Sequence, residues 1–245
     1  MINTWNESLL HEELKDYYCG LDGTTEVPVD GSICDAVLKN GTIVEIQTAH
    51  LSKLRPKLEK LLATRTVNLV HPIAINTWIE TFNADGTLKS RRKSPKHGSP
   101  YSLFREMTGI WHLIENPNLT VTTVLADILE LRIADGSGTW RHKGVRKDDR
   151  KLLKIHETRE FHSLKDYADL IPATLSEPFS VKQLGENGAG TSAGYMAWVL
   201  RKCGAITIAG KKGNALLYKR CYIKTGNDIE TVVPEPGTDE TITLP

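Results

Sequence analysis

Leu10, Leu14, Tyr17 and Tyr18 recur at helical spacing, which predicts a helix over residues 3–19 ending at Gly20. The pattern then changes to short extended runs. Residues 25–29 lead into the Asp30-Gly31 turn, and residues 32–38 read as a second strand. Residues 42–47 return as a third strand after Asn40-Gly41, a two-residue hairpin signal. Leu51, Leu54, Leu58, Leu61 and Leu62 form an apolar stripe that predicts an amphipathic helix over about 50–64. Residues 67–79 are rich in β-branched side chains and predict a buried strand before the Asp85-Gly86 turn. The predicted order is α-β-β-β-α-β.

Beyond this point the signals are shorter. Residues 89–100 crowd Lys89, Arg91, Arg92, Lys93, Lys96 and His97 between prolines and a glycine, and read as a basic loop. A helix over 101–115 and a strand over 119–133 follow. The Gly-rich stretch around Asp135-Gly136-Ser137-Gly138 marks a boundary. Helices are then expected over 146–158, 163–171, 181–184 and 191–203, and a hairpin over 205–220. The expected units are residues 1–138, residues 139–224 and a loosely held tail over 225–245.

Composition changes this picture little. With 40% hydrophobic and 25% charged residues among 245, the chain has ordinary globular usage. No run approaches the roughly 18 apolar residues of a membrane helix. The N-terminus lacks a basic start followed by an apolar run, so a cytoplasmic protein with no membrane partner is expected. Cys19, Cys34, Cys203 and Cys221 form no CxxC pair, which argues against structural zinc. Charge is more informative. Residues 141–224 carry 17 basic and 8 acidic side chains, whereas residues 225–245 carry five acidic and no basic ones. A basic segment of this kind suits a polyanion.

The chemistry concentrates at Asp35, Glu45 and Gln47. Glu45 and Gln47 lie two apart and share a strand face. The Asn40-Gly41 turn brings Asp35 back beside them, nearly opposite residue 46. Two converging carboxylates repel unless a cation lies between them, and oxygen-rich sites suit Mg²⁺ or Mn²⁺. Lys53, Arg55, Lys57 and Lys60 on the following helix are placed to face phosphates or solvent.

This arrangement over roughly residues 5–80 resembles the PD-(D/E)xK nuclease superfamily: an αβββαβ order, an Asp ending one strand, and an acidic-x-polar triplet on the next. The resemblance implies an α/β, restriction-endonuclease-like core and a metal-dependent DNA endonuclease. Asp35 and Glu45 would hold Mg²⁺ or Mn²⁺, and Gln47 stands in the place of the usual Lys. Cys34 stands where a Pro often precedes the Asp. Many members add an acidic residue from the first helix. Here Glu7 is favoured over Glu13, Glu12 lies on the wrong face, and His11 reads better as a surface imidazole. Residues 179–220 resemble a winged helix-turn-helix. That resemblance places Arg201 and Lys202 at the end of a recognition helix and Lys211 and Lys212 at the wing tip. Tyr195 and Trp198 on that helix are open between core and contact, and core suits Trp198 better. Together with Lys53 and Arg55 these cations would meet duplex or branched DNA, with a homodimer as a further expectation. The alternative is a non-catalytic DNA-binding regulator on the same scaffold.

Overall fold

A computed structural model describes residues 8–20, 23–140 and 143–221. Ser8 starts the first helix, α1 (Leu9–Cys19): its hydroxyl accepts from the His11 amide at 3.3 Å. Gly20, at φ 56°, closes it. Leu10 and Leu14 are fully buried against the sheet. Strands β1 (Thr24–Val29), β2 (Ser32–Val37) and β3 (Ile43–Ile46) follow. A 3₁₀ turn over Leu51–Leu54 then leads into α2 (Arg55–Leu61), with Pro56 in its first turn. The stripe expected as one helix is therefore two segments on the same apolar face. β4 (Val67–Asn83) completes the α-β-β-β-α-β order read from the pattern.

The fold is mixed α/β. In the larger sheet the strand order is β1-β2-β3-β4, then β6 (Leu119–Ala134) and β7 (Val145–Phe161), with β5 (Leu88–Lys93) on the far half of β4. β3, β4 and β6 run parallel, and the outer pairs are antiparallel. Two expectations are corrected. Residues 146–158 are not a helix but the middle of β7, which pairs with β6 from Val121 to Ala134. Bulges shift the side-chain alternation of β7 three times, so Leu152, Leu153 and Ile155 imitate helical spacing. The sheet therefore continues past residue 138, where a division was expected. Likewise, half of the basic loop is β5. Every residue of β5 is exposed, so burial leaves no periodic trace in the sequence.

The rest packs on one side of this sheet. Short helix α3 (Leu103–Met107) is followed by α4 (Leu164–Ala168), the two-residue strand β8 (Phe179–Ser180) and α5 (Val181–Leu184). Then come α6 (Ala193–Lys202) and the hairpin β9 (Ile206–Lys212) and β10 (Ala215–Arg220). β8, β10 and β9 form a second, three-stranded sheet. One continuous core runs from Leu51 and Leu58 through Phe104 and Phe161 to Leu184, Leu200 and Tyr218. The acidic tail lies outside the described residues.

Because that core is shared, the two sheets should unfold together. Phe104→Ala should cost about 3–5 kcal/mol, and circular dichroism and tryptophan fluorescence in a urea titration should shift to one common, lower midpoint. Two separated transitions would show that the cores are independent.

Candidate active site

The hairpin joining β2 and β3 is one residue longer than Asn40-Gly41 suggests. Leu38 N–H donates to Thr42 O at 2.9 Å, closing a three-residue loop, and Asn40 Oδ1 accepts from Thr42 N–H at 3.0 Å. The register is Val37↔Ile43 and Ala36↔Val44, so Asp35 falls level with Glu45 rather than residue 46. The backbone ladder ends there. Ile46 N–H, left without a strand partner on that side, donates to Asp35 Oδ2 at 2.6 Å. The side chain thus takes over as acceptor where β2 leaves β3.

Asp35 has a second partner. His11 Nε2 lies 3.3 Å from the same Oδ2. The imidazole expected at the surface is therefore turned into the site by α1. Burial alone would raise the Asp35 pKa, but the His11 and Ile46 hydrogen bonds and the Lys57 charge outweigh it and hold it below the ordinary carboxylate value.

Glu45 sits on β3, which is paired on both sides, and is only 1% exposed. Lys57 reaches it from α2. Its Nζ lies 2.6 Å from both carboxylate oxygens, donating to Oε2, and also donates to Ile33 O at 2.6 Å. Burial is the dominant influence on Glu45; with the neighbouring charge of Asp35 it outweighs Lys57 and raises the pKa above the usual range. Cys34, fully buried beside it, has its thiol pushed up to about 12 by burial and then by the Glu45 charge. Oε1 of Glu45 accepts no hydrogen bond of good geometry.

The structure therefore brings together Asp35, Glu45, His11 and Lys57. Lys57 was legible only as one of four cations on its helix, without a signal for which of them turns inward. Gln47 takes a different place from the one expected. Its Nε2 donates to Ala49 O at 2.5 Å, its N–H donates to Val70 O, and its carbonyl accepts from His71 Nδ1 at 2.7 Å. It secures the loop after β3 rather than facing the carboxylates. His71, held below the ordinary imidazole value by burial, is its neutral anchor. Glu13 is spent elsewhere, accepting from Leu152 N–H at 2.6 Å on β7. Glu12 is exposed, and Glu7 lies outside the described residues. Among the described residues, no group of three or more His, Cys, Asp and Glu side chains is close enough to hold a metal ion.

The remaining cations spread over the surface. Lys53 and Arg55 are exposed, the latter pairing with Glu59 at 3.1 Å. Lys211 and Lys212 end β9 immediately before the tight Gly213-Asn214 turn at the tip of the β9–β10 hairpin. Arg201 is exposed, and Lys202 Nζ lies 5.7 Å from the ring centroids of both Trp111 and Trp198. Trp198 is not core: it is 37% exposed and meets Trp111 edge-to-face at 6.3 Å. No helix among the described residues is long and apolar enough to cross a membrane.

The model of a family described as Domain of unknown function (DUF8091) matches residues 8–162, which include the whole of this site. The chain is 36% identical over 219 residues to an "Uncharacterized protein" of Treponema pallidum (strain Nichols), covering 89% of this chain and 87% of that relative. No solved structure matches the chain.

The opposed shifts of the two acids give a pH signature. Asp35 adds stability above its unfolded value, lost as pH falls through its lowered folded pKa. Glu45, raised in the folded state, favours folding at low pH and loses that contribution as pH climbs from about 4.5 through its folded pKa. Urea unfolding across pH should therefore show Glu45→Gln gaining on the wild type over that interval and then running parallel to it. In carboxyl NMR titrations, Asp35→Asn should bring the Glu45 pKa downward.

Proposed function

From the premise that the chain belongs to the DUF8091 family, we propose that it is a metal-dependent endonuclease hydrolysing DNA phosphodiester bonds. In this reading the first α-β-β-β-α-β run is a restriction-endonuclease-like core, and α5, α6 and the β9–β10 hairpin form a winged helix-turn-helix that binds DNA. The observation that carries it is Lys57 Nζ, 2.6 Å from a buried Glu45 that lies level with Asp35 across the β2–β3 hairpin and whose proton affinity is raised by burial and then by Asp35. Two carboxylates and a lysine meet where two strands part. The positive charge that Gln47 cannot provide comes from α2 instead.

The oxygens also suit a small hard cation. Ile46 N–H and His11 Nε2 both lie against Asp35 Oδ2, and Glu45 Oε1, although Lys57 Nζ is 2.6 Å away, accepts no hydrogen bond of good geometry. Mg²⁺ is commonly held by one or two carboxylates, with waters and phosphate oxygens completing its shell. Asp35 and Glu45 would hold it, and when bound it supplies Lewis-acid stabilisation of phosphate charge and a more acidic water. The chain's own groups do the rest. Lys57 places a fixed positive charge beside the phosphate as negative charge grows there. His11 Nε2 keeps Asp35 ionised and oriented. Gln47, through Ala49 and His71, keeps the loop after β3 in place.

A second reading has its own support. Each carboxylate already faces a cationic or N–H partner, and among the described residues no three His, Cys, Asp or Glu side chains are grouped to hold a metal ion together. That favours a DNA-binding regulator on the same scaffold. Calorimetry separates the two: metal uptake that disappears in Asp35→Ala supports the nuclease, and tight DNA binding with no metal uptake supports the regulator.

Supercoiled plasmid incubated with Mg²⁺ or Mn²⁺ should be nicked by the wild type. Asp35→Ala, Glu45→Gln and Lys57→Met, each checked for fold by circular dichroism, should lose at least about 100-fold in rate, the scale of removing one electrostatic stabiliser. Equal nicking by Asp35→Ala, or intact supercoiled, linear and branched DNA with the wild type, would remove the proposal.

A further inference from the structure

The long halves of β4, β6 and β7, edged by β5, form a four-stranded arm against which α1 lies at Asp149 and Leu152 of β7. Cross-strand partners share a face. Register therefore puts Trp78 on one face with Lys93, Leu129 and Lys151, and Asp127 with Asn76 and Lys154. Contacts confirm the alignment. The Arg91 guanidinium carbon lies 5.6 Å and Lys93 Nζ 5.9 Å from the Trp78 ring centroid. Asp127 accepts from Asn76 Nδ2 at 2.6 Å and lies 3.1 Å from His156 Nε2.

A bulge between Ala74 and Asn76 sets this face. Its carbonyls are taken by the following loop, Gly98 N–H donating to Ala74 O at 2.8 Å and His97 Nδ1 to Ile75 O at 3.0 Å. A Cβ at Gly98 would come within 2.6 Å of Ala74 O, so only glycine lets the loop approach so closely. Without the extra residue, Trp78 and Asn76 would point the other way. With it they share the side of Asp127 and Leu129, which is also the side of Leu125, Val121 and, through Leu69, Glu45.

The acids on this face are already engaged. Glu80 pairs with Arg91 at 3.4 Å, Asp127 with Asn76 and His156, and Asp149 with the Leu9 amide. Lys93, Lys151 and Lys154 are exposed, and among the described residues none has a carboxylate within 4.0 Å. Lys93 lies against the Trp78 ring, within the field of Asp127, and Lys151 and Lys154 follow on the same face two strands away, unpaired with a carboxylate. A polyanion that also offers flat rings complements such a surface.

We infer that this arm face is a nucleic-acid-binding surface: Lys93, Lys151 and Lys154 neutralise backbone phosphates and Trp78 packs against sugar or base. It rests on the reading that the substrate is DNA, and supplies a grip separate from α6 and the β9–β10 hairpin. From Leu69, beside Glu45, to Trp78 is nine residues of strand, roughly 30 Å at about 3.3 Å per residue. Contact here would hold DNA about that far from the carboxylates.

The test is fluorescence anisotropy with a labelled 30-base-pair duplex in EDTA, repeated over a salt series so that binding is read without cleavage. The triple variant K93Q/K151Q/K154Q should bind at least about tenfold more weakly at low salt, and its log affinity–log salt slope should shrink by about 2.7. The double variant R65Q/K165Q, whose cations pair with Asp30 and Asp169, should match the wild type, and duplex should quench fluorescence in the wild type more than in Trp78→Phe. Unchanged affinity and slope in the triple variant, or equal losses in both multiple variants, would overturn the inference and leave the nuclease reading standing. So would capture by anionic phospholipid vesicles with no binding of DNA, although that result would take the DNA reading with it. Conversely, a triple variant that loses DNA binding while the wild type nicks no plasmid would support this surface and remove the hydrolase.

Discussion

A charged carboxylate at the centre of a sheet is costly unless something compensates it, and here the compensation is Lys57 against Glu45. Much else follows from that pair. Glu45 lies on β3, between β2 and β4, where no solvent reaches it. Lys57 can meet it because Leu58 and Leu61, the latter one turn along the same face, anchor α2 in the core. It also holds Ile33 O, so the same ammonium fixes where β2 runs as it leaves β3. Removing the lysine would strand a buried charge. Removing the glutamate would release both the helix and the strand.

Around this pair, polarity is divided unevenly between two acids at the same level of the hairpin. Asp35 is held ionised by a main-chain amide and an imidazole, whereas Glu45 is pushed toward its neutral form by burial and by Asp35 itself. Paired titratable groups whose environments push them in opposite directions are a recurrent mark of functional sites, though structural ion pairs show it as well. The neighbouring loop is fixed by a separate network through Gln47, Ala49 and His71. The carboxylates and their support are therefore distinct layers.

The early elements were legible because each carries a strong local signal: the α1 face at Leu10 and Leu14, the Asn40-Gly41 turn, and the leucine stripe at 51–62. Helices α5 and α6 and the hairpin β9–β10 were visible for the same reason. Local signals fail where structure is decided by distant partners. β7 reads as a helix because its bulges break alternation, and only β6 makes it a strand. β5 has no buried position to betray it. Asp35 and Glu45 were readable from their spacing across a turn. His11 was weighed and read as a surface imidazole, and Lys57 was one of four cations, since choosing an inward-facing side chain on a helix requires knowing how that helix sits on the sheet. Gln47 was misplaced because spacing shows which face a residue shares but not which neighbour captures its amide.

One contact bears on the whole molecule. Trp198 meets Trp111 edge-on, Cys203 Sγ donates to Trp111 O at 3.4 Å, and both sheets draw on one core. α6 and its hairpin therefore do not hang on a tether. They stand at a constant bearing and offset from Asp35 and Glu45, so in the proposed reading the molecule would act as a caliper, measuring distance by the core its two sheets share.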